Sequence, residues 1–198
     1  MNTRQIQNFT ITKVLIAINI AAFIYAVLFV SPGILMGAET TDSLLKSGAM
    51  VMTHFQPYQL FTSMFVHLSL MHILFNMVVL NVFGMMMANI GFNKLILPVY
   101  LITGFVGNIL TTKLMPFSAS AGASGAIMGI AGFIVLISFF SRYRFARAYS
   151  KECWSCVAAT VLFGFFTNAN NVAHIGGFMA GAVIAIAVGL ISTATPRR

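Results

Sequence analysis

Twenty residues from Ile11 to Val30 carry a single charge, Lys13. A helix of that length covers about 30 Å, the thickness of bilayer hydrocarbon. Further apolar runs follow: from about Phe61 or Leu70 to Ala88, Leu95 to Leu110, Gly122 to Phe140, Trp154 to Phe166 and Val172 to Ile191. Lipid offers no partner to a bare N–H or C=O, so such runs must satisfy their own backbones as helices. The expectation is an all-α membrane protein with six transmembrane helices. Only 7% of the residues are charged, against about 25% in soluble domains. The first run ends at Ser31-Pro32-Gly33 without a small-residue cleavage site and reads as a retained span, not a signal peptide. The run Trp154 to Phe166 is short, roughly 20 Å if helical.

The connections differ in character. Residues 31–58 are too polar to span and too apolar for a free linker, so they read as an amphipathic loop lying in the membrane interface. Gly91-Phe92-Asn93-Lys94 reads as a tight turn, Thr111 to Ala121 as a polar turn, Ser141 to Glu152 as a basic loop and Thr167 to Asn171 as a polar one. A single domain over residues 1–198 is expected. With the N-terminus inside, cytoplasmic segments hold Arg4, Lys13, Lys94, Arg142, Arg144, Arg147, Lys151, Arg197 and Arg198, and outer segments hold only Lys46 and Lys113. That bias predicts a multi-pass protein with both termini cytoplasmic. It also accounts for the net charge of +8 without nucleic acid as a partner.

The same topology puts four hydrogen-bonding residues near the outer ends of three helices. Ser124 opens the fourth helix, His174 lies in the first turn of the sixth, and His72 and Asn76 share a face of the second. Polar groups at such depth are costly and point to function, although singly each has a structural reading as a backbone-bonded serine or interhelical glue. Gly122, Gly125, Gly129 and Gly132 form a small-residue stripe, and Ala173, Gly177 and Gly181 form another. Close packing of the stripes would bring the serine hydroxyl within reach of the imidazole. Cys153 and Cys156 have redox-motif spacing but read as small buried hydrophobes at the inner end of the fifth helix. His67 reads as interfacial and His54 as solvent-facing. Four histidines without carboxylates or paired cysteines make a poor metal site, and neither a metal nor a cofactor is expected.

Three segments resemble the rhomboid family. Gly122-Ala123-Ser124-Gly125 is similar to its nucleophile motif, and Ala173-His174-Ile175-Gly176-Gly177 followed by Gly181 to its Ala-His-x-x-Gly-x-x-x-Gly helix. His72 to Asn76 is similar to its His-x-x-x-Asn segment. The loop 31–58 resembles the family's membrane-lying first loop. The resemblance implies a six-helix rhomboid-like bundle and an intramembrane serine endopeptidase of the minimal bacterial type, in the inner (cell) membrane. It implies Ser124 as nucleophile, His174 as general base, and His72 and Asn76 as oxyanion donors. The implied partners are membrane proteins cut in a transmembrane helix. Two positions depart from the family: Tyr58-Gln59 stands where Trp-Arg is common, and the segment from Gly84 to Gly91 has Ala88 and no acid where a glutamate is common. A catalytically silent, client-binding relative would lack the serine or the histidine. A small transporter would favour discontinuous helices in repeated halves, and no such repeat is found.

Overall fold

The computed structural model describes residues 10–166 and 169–194. Arg4, Thr167, Asn168, Arg197 and Arg198 lie outside the described residues.

Helix α1 runs Thr10–Tyr25 and widens into a π-helical turn at Ala26–Val30. The first loop then folds into a 3-10 turn at Pro32–Met36, helix α2 (Thr41–Ser47), strand β1 (Met50–Val51) and a 3-10 turn at Met52–His54. Helix α3 (Gln59–Thr62) leads into α4 (Leu70–Asn89), α5 (Ile96–Leu114), strand β2 (Ala119–Ser120), α6 (Ser124–Ile137), α7 (Arg147–Phe166) and α8 (Asn171–Ala194). Strands β1 and β2 pair antiparallel, Met50 opposite Ser120, and tie the first loop to the segment just before Ser124.

Among the described residues, four helices are long and apolar enough to cross a membrane: Ile11–Val30, Leu70–Asn89, Asn93–Leu114 and Asn171–Ala194. Two others differ from expectation. Helix α6 has 14 residues, about 21 Å of rise, and not the longer span expected from Gly122 to Phe140. Helix α7 starts at Arg147, seven residues before Trp154, and has 20 residues. Its first two turns carry Arg147, Ser150, Lys151 and Glu152, which hid the helix inside what reads as a basic loop. Helix α5 likewise runs four residues past Leu110.

Helix α6 forms the centre. Apart from Ser124 and Leu136, every one of its residues is buried, and α4, α5, α7 and α8 pack around it. Lipid tails are as apolar as the side chains, so burial alone does not draw helices together; close van der Waals contact must. The two stripes supply it. A side chain at Gly177 would collide with the carbonyl of Gly125, and one at Gly181 with that of Gly129. Gly132 sits equally close to the carbonyl of Phe178.

Segment 59–66 is fastened by buried polar groups. Asn108 Nδ2 donates to Leu60 O and to Ser63 Oγ, both at 2.9 Å. Tyr100 donates to Met64 O at 3.1 Å, and Gly122 N donates to Ser63 O at 2.9 Å. Gln59, in the place where the family often has arginine, is fully buried and accepts from Gln56 N at 3.0 Å. In the loop before it, Ile34, Met50 and Val51 face inward while Leu35 and Met36 are exposed. This two-sided burial is what an amphipathic segment produces.

Candidate active site

Ser124 is the first residue of α6. The N–H groups of a helix's first turn have no intrahelical acceptor, so free donors surround the hydroxyl. The chain reaches this point through Gly122 at φ 125, a conformation glycine alone adopts readily. A side chain there would also lie 2.8 Å from His72 Cε1 and Nε2. Gly122 thus makes the turn and leaves room for the His72 ring beside Ser124.

His174 is 5% exposed and sits in the first turn of α8. Its Nε2 lies 2.8 Å from Ser124 Oγ. Gly125 comes close to Ala173 O, so the approach of the two stripes sets this pairing. The start of α8 is pinned by Asn170. Its Oδ1 accepts from Ala173 N at 2.9 Å, and its Nδ2 donates to Thr111 Oγ1 and Ser120 Oγ, each at 2.9 Å. The neighbouring Asn171 donates through Nδ2 to Val161 O of α7 at 3.1 Å, and its Oδ1 stands 3.4 Å from His174 Nδ1.

His72 is set by the N-terminus of α4. Ser69 Oγ accepts from His72 N at 3.1 Å as the helix cap, and His72 Nδ1 receives Leu68 N–H at 3.4 Å. A ring nitrogen that accepts carries no proton, so the neutral ring holds its proton on Nε2, the atom beside Gly122. Asn76 donates to His72 O at 2.9 Å, one turn back on its own helix. The structure therefore brings Ser124, His174 and His72 together directly, and Asn76 joins them through the backbone of His72.

His67 is 1% exposed, which corrects its reading as interfacial. Its ring stands edge-on to that of His72, with centroids 5.1 Å apart. Burial, with His72 beside it, pushes its pKa down to about 3, so the ring is neutral. His54 is exposed. Cys153 is buried and Cys156 half-buried, both free thiols. No group of three His, Cys, Asp or Glu side chains among the described residues could hold a metal. Asp42 pairs with Lys46 at 2.7 Å on α2, and Glu152 is exposed on α7. Sequence reasoning passed over Asn170 and Asn171 as a polar turn. Their signal was faint: an Asn ahead of an apolar run can be a helix cap.

The rhomboid domain profile matches residues 54–190. Rhomboid protease GluP of Bacillus subtilis is 30% identical over 158 residues, covering 78% of this chain and 31% of that protein. RHOMBOID-like protein 2 of Arabidopsis thaliana is 32% identical over 149 residues, covering 72% and 47%. Rhomboid-like protease 3 of Toxoplasma gondii is 27% identical over 153 residues, covering 74% and 57%. The chain thus spans between 31% and 57% of the length of these relatives. The matched region takes in α4 through most of α8, with Ser124, His174, His72 and Asn76 all inside it. Together with the apolar helices, this makes the chain an integral membrane protein that belongs to the rhomboid family.

Proposed function

We propose that this chain is an intramembrane serine endopeptidase working through a Ser124–His174 dyad. The observation that carries the reading is the 2.8 Å contact between Ser124 Oγ and His174 Nε2, made at the N-terminus of a buried helix. In the mechanism, His174 Nε2 takes the Ser124 proton as Oγ attacks the scissile carbonyl of a substrate helix. The resulting imidazolium returns that proton to the leaving amine. Water then enters and attacks the acyl carbon as it gives a proton to Nε2; the acyl–Oγ bond breaks, and the imidazolium returns that proton to Oγ. Negative charge on the tetrahedral oxygen meets the N–H of Ser124 and the Nε2–H of His72, with Asn76 adding its second amide hydrogen. Each such donor is worth about 2.7–4 kcal/mol in soluble proteases.

In this reading six helices, α1 and α4 to α8, cross the bilayer as one domain. Because α6 is short, Ser124 sits below the surface, and the polar first turns of α7 lie at the opposite, cytoplasmic face with both termini, in the cell membrane. The partners are membrane proteins that present a transmembrane helix. The protease-named relatives support the class of activity, and the 2.8 Å contact supports the dyad. The test is cleavage of a generic membrane-helix substrate by detergent-purified protein, with labelling by a fluorophosphonate. Wild type should cleave and label, and Ser124→Ala should do neither. A folded wild-type protein that never labels would point to a silent, client-binding relative instead.

A further inference from the structure

The hydrogen bonds behind His174 form a chain with only one consistent assignment of protons. It starts at Val161 O on α7, a carbonyl that can only accept. Asn171 stands 3.1 Å from it, so the amide must turn its NH2 that way. Its Oδ1 is then left facing His174 Nδ1 at 3.4 Å. That oxygen can only accept, so Nδ1 must carry the ring proton. Nε2 is therefore the lone-pair nitrogen, and the hydroxyl of Ser124, 2.8 Å away, donates to it. One backbone carbonyl on a neighbouring helix thus determines which nitrogen of the imidazole is basic.

We infer that Asn171 is a positioning residue that fixes the tautomer and orientation of His174, and that Gly164 provides its seat. This rests on the dyad reading above. In the serine–histidine–aspartate arrangement a buried carboxylate holds the imidazole. Here a neutral amide takes that place, one turn back on the same helix as the histidine. An amide brings no charge to desolvate inside a bilayer. It is also anchored from its far side, which a carboxylate facing a carbonyl would not be. Gly164 of α7 completes the fit: a side chain there would occupy the space of the Asn171 amide, meeting Cγ and Nδ2 at 2.7 Å. The longest approach in the chain, 3.4 Å, is at the outer limit of a hydrogen bond. Such contacts tighten when the imidazolium forms.

The test compares wild type with Asn171→Leu, which has similar size without the polar atoms, and Asn171→Asp. In the buried site a protonated Asp can donate to Val161 O and accept from Nδ1. Nitrogen-15 NMR of ring-labelled protein reads the His174 tautomer without any substrate, so this result is independent of whether the chain proves to be a protease. The wild-type ring should be protonated at Nδ1. Asn171→Leu should show a mixture of tautomers, a kcat lower by about tenfold or more and a KM within about threefold, bounded by the roughly ten-thousandfold loss seen with a wrong tautomer. Asn171→Asp should recover the Nδ1–H form and most of the rate. If Asn171→Leu fails to fold, Gly164→Ala, which displaces the amide without removing it, should show the same changes in smaller degree. A folded Leu or Ala variant that keeps the Nδ1–H tautomer and the wild-type kcat would overturn the inference.

Discussion

Helices α6 and α8 meet backbone to backbone, whereas α7 is held to the bundle by side chains. In the first seam, glycines at 125, 129, 177 and 181 let carbonyls lie where a Cβ would be. Helix α7 rests mainly on α6 and touches α8 much less. Its anchors are Cys153 buried in the core, Arg147 Nε donating to Ser138 O at 3.3 Å, Trp154 against Phe178, and the Asn171 amide on Val161. Leu162 and Phe165 are left exposed. The two residues proposed to do chemistry stand on the rigid seam, and the less tightly held helix borders them. A 1 Å error between nucleophile and base is costly, so the close-packed pair of helices is where they belong.

Removing either member of the pair tests the rigid side at its reacting atoms. Ser124→Ala and His174→Ala should each abolish cleavage and fluorophosphonate labelling while melting like wild type. Both substitutions shrink a side chain without touching the glycine seam. Normal cleavage by either variant would remove the dyad.

The seam itself is tested by adding bulk. Gly177→Val should cost about 3 kcal/mol or more in stability, at the upper end of overpacking effects, because the facing atom is the backbone of Gly125 and cannot swing aside. Activity should fall with it. Met179→Val, on an exposed position of the same helix, should melt within about 0.5 kcal/mol of wild type. If Gly177→Val were equally harmless, close packing would not be what holds the seam.

Much of this arrangement was legible in the chain. The stripes, Ser124 and His174 could be read because small residues recur at helical spacing and because polar groups are rare against so apolar a background. The start of α7 was not legible. Arg147, Lys151 and Glu152 lower its hydropathy, and a helix can extend past the hydrocarbon into polar surroundings, where hydropathy no longer marks it. The length of α6 was also missed, since the helix stops at Ile137 while its apolar sequence continues to Phe140. Nor could the sequence show that His67 is buried, because its neighbours Val66 and Leu68 suit an interface equally well. The bond from Asn171 to Val161 joins two helices across a turn, a contact that spacing along one helix does not encode.

His72 lies on a third helix, α4, and its contribution should be intermediate. His72→Ala should lower kcat by about a hundredfold, near the effect of losing one oxyanion donor. Asn76→Ala should lose less, because one of its two amide hydrogens is held by His72 O and only the other is left for the oxyanion. Activity equal to wild type in both variants would assign them to packing alone.

On the softer side, Phe165→Ala trims an exposed ring of α7. It should change the rate of helix-substrate cleavage several-fold while leaving labelling by a small fluorophosphonate unchanged. The side chain of Phe166, which follows it, lies outside the described residues. An equal change in labelling and cleavage would mean that α7 shapes the reacting atoms and not only the way to them.

The smallest effect should come from the acids, and it bears most directly on how the rigid seam works. The chain has three: Glu39, Asp42 and Glu152. Asp42 is paired with Lys46 on the exposed face of α2, both side chains more than 60% accessible. Glu152 is exposed in the early turns of α7, about four helical turns before Phe166, where that helix nears the start of α8. Glu39 lies in the first loop, just before the cap of α2 at Thr40. The hydrogen-bond partners of the His174 ring are instead neutral: the Ser124 hydroxyl and the Asn171 amide. A carboxylate buried beside the imidazole would have to offset the cost of leaving water, and an amide avoids that cost. Glu39→Gln, Asp42→Asn and Glu152→Gln, singly or together, should therefore keep most of the proteolytic activity. A thousandfold loss from any one of them in a folded protein would reveal a triad-like role and move the orienting group off the seam.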